Sequence, residues 1–188
     1  LFGGYQFENA GLAVAAALTF NHDIGEDELG RGVSSAVWPA RFQRLTKGPL
    51  AELAKARGSD LWLDGGHNPH AGRALAEAAS RLADRDPRPL VLITGMFARK
   101  DAKGFFLPFA DLRPRLFVTA FDSPNAASAE ELAAAARAAG LTPQLAPDVT
   151  TAIEAALAPP GPPPHLIVCG GLHFAGEVLA MSPETWPI

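Results

Sequence analysis

The sequence predicts an α/β fold in which a mostly parallel sheet carries helices on both of its faces. The chain has 188 residues, of which 48% are hydrophobic, and this is enough for one sizeable core. Five short apolar runs recur after residue 39, and helical or loop segments separate them. Short apolar strands that alternate with helices are typical of βαβ units, whose parallel strands are buried on both faces.

The first 38 residues differ from the rest, and we expect them to be a short helical remnant of a preceding domain. Residues 4–20 predict a helix, because alanine, leucine and valine dominate from Ala10 onward and alanine has the highest helix propensity. Since this helix is apolar almost all round, we expect it to be buried in something larger. Residues 25–37 predict a second helix, whose early acidic residues suit the positive end of a helix dipole. The pattern ends at Trp38, which Pro39 disfavours in a helix.

Residues 39–188 are expected to form the α/β domain. Its predicted strands are Leu61–Leu63 and the runs that begin at Pro89, Arg115, Thr142 and His165. The run at Thr142 is the weakest of the five. Two of the helices between these strands have candidate N-caps, namely Ser128 and either Asp148 or Thr150.

Charge and cysteine content argue against several classes of protein. A formal net charge of −4 gives no indication of a basic nucleic-acid surface. No apolar run approaches the roughly 20 residues that a membrane-spanning helix needs, and no pattern typical of a secretory signal is found. The single cysteine, Cys169, cannot form a disulfide framework, and we expect it to be a small buried residue at a strand end. We therefore expect a cytoplasmic protein that binds neither nucleic acid nor membrane.

Unusual residues follow three of the predicted strands. The sequence "DGGHNPH" begins at residue 64, "TGMFARKDA" at residue 94 and "CGGLHFAG" at residue 169. Ligands of open α/β sheets bind beyond the carboxyl ends of the strands. The three loops are therefore expected to meet and to form a site.

Asp64 and His67 are the candidate site residues of the first loop. The Asp64 carboxylate could accept two hydrogen bonds from the vicinal hydroxyls of a ribose, and the two glycines that follow allow close backbone approach. His67 can donate to a phosphate or orient a polar substrate group. The alternative is a capped strand-to-helix turn that satisfies its own backbone, and it is preferred for Asn68 as N-cap and Pro69 as first helical residue. His70 is expected on the surface of the helix.

The second loop carries Arg99, Lys100 and Asp101, and a linker arginine, Arg41, precedes the predicted sheet. Cations at the mouth of a strand suit a phosphate or a carboxylate. The alternative for the loop is a solvated charged turn, and for Arg41 it is an exposed linker residue.

Four segments in order, "WPARFQRL", "LDGGHNPHAG", "TGMFARKDA" and "CGGLHFAGE", resemble the C-terminal part of the bifunctional dihydrofolate synthase/folylpolyglutamate synthase family of the Mur ligase superfamily. The segment "GYQFENAGLAVAAAL" is similar to a helix that closes the central ATPase domain of that family. The resemblance implies a Rossmann-like Mur ligase C-terminal domain in residues 39–188. Residues 1–38 would be the end of the central ATPase domain.

The implied reaction is an ATP-dependent ligation with Mg²⁺. A carboxylate of dihydropteroate or folate is phosphorylated to an acyl phosphate, which the amine of L-glutamate attacks to give an amide, ADP and phosphate. The implied partners are these substrates and the protein's own central ATPase domain, and a monomer is expected.

The resemblance also implies roles for single residues on the nucleotide side. Gln6 and Asn9 would lie near the adenine, and Arg41 would reach the ATP phosphates. Asp64 would hold the ribose or nucleotide, and His67 would lie by the phosphates or the incoming glutamate. These two residues are the predicted catalytic pair.

On the substrate side, Lys100 and Asp101 would line the cleft where glutamate binds. Two positions depart from the family pattern there, because Gly171 and His173 stand where the family has serine and tyrosine. His173 is a candidate replacement in the glutamate pocket. A third departure is Ala40, which stands in the place of the glycine before Arg41.

No G-x-x-x-x-G-K-[ST] phosphate-binding loop and no obvious set of magnesium ligands occur in the sequence. Residues 1–188 are therefore expected to be inactive alone, with the metal ligands elsewhere in a longer chain. Two other interpretations stay open. One is the C-terminal domain of a UDP-muramoyl-peptide ligase. The other is a stand-alone Rossmann-like binding module, although the missing G-x-G-x-x-G argues against NAD or FAD.

Overall fold

The computed structural model describes residues 4–185. The strands are β1 (Gln43–Leu45), β2 (Asp60–Leu63), β3 (Leu90–Thr94), β4 (Arg115–Val118), β5 (Pro143–Leu145) and β6 (His165–Cys169). The helices are α1 (Tyr5–Phe20), α2 (Glu26–Ser35), α3 (Pro49–Lys55), α4 (Pro69–Arg85), α5 (Ala102–Phe106), α6 (Ala129–Ala138), α7 (Val149–Leu157) and α8 (Leu172–Ala180). Short 3₁₀ turns lie at Leu107–Phe109 and Pro183–Thr185.

The six strands form one sheet in the order β1-β2-β6-β3-β4-β5. All neighbouring pairs are parallel except β1 with β2, which is antiparallel. The predicted mostly parallel sheet is confirmed, and each of the five predicted runs contains a strand. The sequence did not predict β1, because this edge strand has only three residues and only Leu45 among them is buried.

Helices cover both faces of the sheet, as predicted. On one face α3, α7 and α8 enclose a core that contains Leu61, Leu63 and Phe174. On the other face α4, α5 and α6 enclose a second core, which contains Trp62 and Phe105. Successive residues of β2 thus point to opposite cores, and a strand that is buried on both faces needs the continuous apolar run from which it was predicted.

The N-terminal helices were also predicted correctly, but α1 is not enclosed by the described part of the chain. Phe7, Leu12 and Phe20 of α1 are 83%, 72% and 95% exposed. Their burial in something larger stays a prediction. None of the helices in residues 4–185 has the length and apolar character to cross a bilayer.

A buried polar network, which the sequence did not predict, ties strands together at the amino edge of the sheet. His165 is fully buried, and its Nδ1 lies 2.7 Å from Oδ1 of Asp60. Its Nε2 donates to the carbonyl oxygen of Asp86 at 2.9 Å, because a carbonyl can only accept. Arg88 adds an ion pair to Asp60 at 3.1 Å. This network lies at the amino ends of β2 and β6, opposite the carboxyl edge of the sheet.

Candidate functional site

The loops after β2, β3 and β6 meet at the carboxyl edge of the sheet, because β6 lies between β2 and β3. A Cβ atom on Gly65 would lie only 2.4 Å from Cδ2 of Leu172. A Cβ atom on Gly170 would lie 2.3 Å from the carbonyl oxygen of Gly95. The predicted convergence of the three loops is therefore confirmed, and glycines make it possible at the points of closest approach.

The first loop ends in a capped helix start. The side chain of Asn68 accepts a hydrogen bond from the backbone N–H of Ala71 at 2.9 Å, and Pro69 is the first residue of α4. His70 is exposed. The predicted cap is confirmed, and it fixes the direction in which the chain leaves the site after His67.

Asp64 is buried and both of its carboxylate oxygens are engaged. Oδ2 accepts the backbone N–H of Phe42 at 2.8 Å, and Oδ1 accepts the backbone N–H of Gly66 at 2.7 Å. Burial raises the pKa of the Asp64 carboxyl, while the two N–H donors and the nearby Arg41 act in the opposite direction. With 6% of its surface exposed, this side chain is placed to organise the backbone. The predicted contact of Asp64 with a ribose or nucleotide stays a prediction.

The linker before β1 carries Arg41 between two residues in left-handed conformations. Ala40 has φ of 53° and Phe42 has φ of 45°, values that cost free energy for residues other than glycine. The Ala40 N–H donates to Oε1 of Gln43 at 3.0 Å, and the Ala40 carbonyl accepts the N–H of Gly65 at 2.8 Å. The half-buried Arg41 thereby lies beside Gly65, where a Cβ atom would be 3.2 Å from Nη1.

His67 is half-buried where the first loop faces the third. Its Nδ1 lies 3.1 Å from the carbonyl oxygen of Gly65, so Nδ1 carries a proton and donates. A Cβ atom on Gly171 would lie 4.0 Å from Cβ of His67. Within residues 4–185 the Nε2 atom makes no hydrogen bond, and it is the ring atom through which His67 can meet a ligand.

The candidate residues of the second and third loops differ in whether their side chains already have partners within the protein. Asp101 caps α5, since its Oδ1 accepts the N–H of Gly104 at 2.8 Å. The ammonium of Lys100 has no hydrogen-bond or ion-pair partner among the described residues. His173 is exposed and makes an edge-to-face contact with Phe97, with 4.7 Å between ring centroids. Lys100 and His173 are therefore accessible, whereas a local cap already accounts for Asp101.

Gln6 and Asn9 are not brought together with Asp64 and His67. They line a cleft of about 730 Å³ among α1, α2 and the C-terminal end of α4, where Arg81 also lies. The axis of α4 rises about 1.5 Å per residue, so the cleft is roughly 18 Å from the first residue of α4. Their placement near an adenine stays a prediction.

Two further chemical questions concern metals and Cys169. No group of three His, Cys, Asp or Glu side chains in the described part of the chain could hold a metal ion. Cys169 is buried at the end of β6, as predicted, and loss of solvation raises the pKa of its thiol to about 12. A thiol of this kind is not a nucleophile at neutral pH.

The double left-handed turn around Arg41 is the part of the site that sequence reasoning did not find. One feature of the sequence could have indicated this turn, because the family that the chain resembles has a glycine at the position of Ala40. A glycine in a fixed pattern often marks a positive φ, and that would have placed a turn directly before Arg41. No side-chain pattern marks the second turn residue, Phe42.

Comparison with known proteins gives three kinds of match. The family model "Mur ligase, glutamate ligase domain" matches residues 42–172. A probable bifunctional folylpolyglutamate synthase/dihydropteroate synthase of Haloferax volcanii is 36% identical over 101 residues, which are 54% of this chain and 10% of that protein. The dihydrofolate synthase/folylpolyglutamate synthase of Escherichia coli is 26% identical over 171 residues, which are 91% of this chain and 37% of that protein.

Among solved structures, Mycobacterium tuberculosis folylpolyglutamate synthase complexed with ADP and AMPPCP is similar with a TM-score of 0.80 and 26% sequence identity. The match covers 96% of this chain and 40% of that chain. The present chain thus spans well under half the length of each of these relatives.

Proposed function

Because this chain belongs to the Mur ligase family through its glutamate ligase domain, we propose that it is the C-terminal domain of an ATP-dependent ligase. The ligase would add L-glutamate to dihydropteroate or folate. The observation that carries the proposal is the meeting of the loops that carry His67 and Lys100 at one edge of the sheet, with Arg41 of the linker beside Gly65. The folylpolyglutamate synthases among the relatives support the choice of substrates.

The proposed ligation requires positively charged side chains at the carboxyl edge of the sheet. A carboxylate is a poor acyl donor, and ATP would supply the phosphoryl group that turns it into an acyl phosphate. Negative charge on the transferring group is stabilised by preorganised donors. The guanidinium of Arg41, held beside Gly65, suits the phosphate oxygens. Because Nδ1 of His67 already donates to the Gly65 carbonyl, Nε2 would donate to these oxygens in the doubly protonated form of the ring. Hydrogen bonds of the linker and of the Gly65 carbonyl support both residues, so little reorganisation is needed when the charge develops.

On the glutamate side, the accessible residues are Lys100 and His173. The Lys100 ammonium suits a carboxylate of the incoming amino acid. His173 can donate to the other carboxylate while its ring rests on Phe97. Asp101 would act through the cap that orients the loop, and this replaces the direct substrate contact expected from the resemblance.

The rest of the site would come from the central ATPase domain. The exposed apolar side chains of α1 support such a partner, because a helix with Phe7, Leu12 and Phe20 in water is expected to bury them against another domain. The Mg²⁺ ion would be held there too, and Gln6 and Asn9 would face the adenine from α1. Residues 1–188 alone are expected to be inactive, since no phosphate-binding loop occurs in them.

The test uses the longer protein that contains this chain, with ADP release as the readout. Release should require L-glutamate together with dihydropteroate or folate. His67→Ala and Arg41→Ala should each lower kcat/KM by about 100-fold, the loss typical of a donor to developing negative charge. The matched controls are His70→Ala, three residues further on, and Arg44→Ala on β1, both exposed and expected to keep activity.

Three results would count against the proposal. ADP release that depends on a UDP-muramoyl peptide, and not on a folate, would assign the chain to the other ligase class. Normal turnover in both His67→Ala and Arg41→Ala would remove the site. Tight NAD binding by residues 1–188, measured by calorimetry, would favour a stand-alone binding module.

A further inference from the structure

The surroundings of Arg41 are built by one buried carboxylate. Asp64 follows β2, and Phe42 lies 22 residues before it in the linker, yet Oδ2 of Asp64 accepts the Phe42 N–H at 2.8 Å. The other oxygen accepts the N–H of Gly66 in its own loop at 2.7 Å. A single side chain thus joins the linker to the loop that carries His67.

The linker needs such a connection because its backbone is strained. Ala40 and Phe42 both have positive φ, at 53° and 45°, and neither is glycine. Residues held in left-handed conformations cost of order 1–3 kcal/mol each and persist only where their surroundings fix them. Here the fixing contacts are the Asp64 carboxylate on one side of Arg41 and the Gln43 amide and Gly65 N–H on the other.

Packing supports the same geometry. The ring of Phe42 is buried and stacks on Trp62, with 4.8 Å between centroids and 23° between planes. The side chain of Phe42 is therefore anchored in the core below the loop while its N–H points to Asp64. The backbone of Arg41 is therefore fixed between two anchored neighbours, and its Nη1 donates to the Ala40 carbonyl at 3.3 Å.

We propose that Asp64 is a positioning residue that holds the Ala40–Phe42 turn and thereby presents Arg41 to the phosphates, without touching the nucleotide itself. This proposal rests on the function proposed above, because it names what Arg41 is presented to. In this proposal Asp64 acts by holding the backbone of the linker. The alternative is the direct contact with ribose hydroxyls that the family resemblance implies.

The first experiment needs no activity. In Asp64→Asn, the single side-chain oxygen can accept from only one of the two amides, and the new NH₂ group must face the other. Hydrogen exchange followed by NMR should therefore speed up at the amide of Phe42 or of Gly66. Asp148→Asn is the control, because Asp148 accepts a backbone N–H from Thr151 at 2.7 Å outside the linker. Unchanged exchange at both Phe42 and Gly66 would overturn the proposal.

The second experiment separates the two roles of Asp64 in the longer protein that contains this chain. Binding of ATP and of 2′-deoxy-ATP is measured by calorimetry for wild type, Asp64→Asn, Arg41→Ala and the double variant. Asp64→Asn should weaken both nucleotides alike, by about tenfold, the lower end of the range for a hydrogen bond to a charged group. In the Arg41→Ala background the same substitution should have little further effect, since its action passes through Arg41.

Other outcomes are equally informative. If wild type prefers ATP over 2′-deoxy-ATP and Asp64→Asn loses that preference, Asp64 contacts the ribose and the proposal is wrong. If the losses in the double variant simply add, Asp64 does not act through Arg41. If the wild-type protein binds no ATP at all, the proposed function fails, while the exchange result still decides whether Asp64 holds the turn.

Discussion

Gly170 offers the sharpest test of how closely the loops of the site must pack. It follows β6 with φ of 127°, and a Cβ atom built there would lie 2.3 Å from the carbonyl oxygen of Gly95 and 3.0 Å from Cγ2 of Thr94. The nearest atom is backbone at the end of β3, so it cannot move aside as the end of a flexible side chain could. Gly170→Ala should therefore push β6 away from β3 at the carboxyl edge.

Two effects contribute to the cost. A φ of 127° is in a region that alanine rarely adopts, at about 1–3 kcal/mol. Forcing a methyl group into a closely packed contact costs about 1–3 kcal/mol more. Gly161 is the matched control, because it also has a positive φ, 144°, but nothing lies within 4 Å of a Cβ atom there. Gly161→Ala carries the first cost only.

Urea unfolding of the two variants measures the difference. Gly170→Ala should lose about 2–6 kcal/mol of unfolding free energy, and Gly161→Ala should lose at least about 1 kcal/mol less. In thermal unfolding each kcal/mol corresponds to about 2–4 °C in Tm for a chain of this size. Equal losses within about 0.5 kcal/mol would refute the close contact between the loops after β3 and β6.

Three further predictions concern single residues. Ala40→Gly should change the unfolding free energy by less than about 1 kcal/mol, because the relief of backbone strain at φ of 53° offsets the added entropy of the unfolded chain. Ala40→Val should cost about 2 kcal/mol or more, and urea unfolding measures both changes. His165→Phe should cost about 3–5 kcal/mol, since it leaves Asp60 buried with one partner fewer, and a loss below 1 kcal/mol would contradict the network. Cys169 should react with a thiol reagent at pH 8 only on unfolding. The pKa of its thiol is about 12 in the native state against an ordinary 9.0, so its contribution to stability is complete below pH 9 and is lost as pH rises toward 12. Alkylation rates check the reactivity of the thiol, and urea midpoints between pH 8 and 10 check the loss of stability.

The parts of the fold that the sequence predicted are those that its side-chain pattern encodes directly. Residues 61–63, 90–94 and 165–169 are buried on both faces of the sheet, so nearly every one of their side chains is apolar. The edge strand β1 needs no such run, because only Leu45 is buried, while Gln43 is half-buried and Arg44 is exposed. Its antiparallel pairing with β2 comes from the linker geometry, which the apolar pattern does not describe.

The meeting of the three loops was predicted, but the hydrogen bonds within them were not. Parallel strand ends gather at one edge by topology alone, so the meeting of the three loops followed from strand order. The partners of Asp64 are backbone N–H groups at Phe42 and Gly66, and an N–H group is the same at almost every residue. A carboxylate beside two glycines therefore predicted a ligand contact, and the two backbone N–H groups that it accepts in the structure could not be predicted from the sequence. The His165–Asp60 pair escaped prediction for a related reason, since its members are 105 residues apart.

The bonding of the linker also decides with which part of the molecule Arg41 would move. Hydrogen bonds join residues 40–43 to Asp64, to Gly65 and to the carbonyl of Thr185. Val37 and Trp38, just before the turn, are exposed, so little side-chain packing opposes a change in the backbone angles of Val37. A rotation of residues 4–38 against the sheet would thus occur before Ala40 and leave Arg41 fixed beside Gly65. Arg41 therefore belongs to the half of the site that the sheet carries, and a partner domain would meet it already in position.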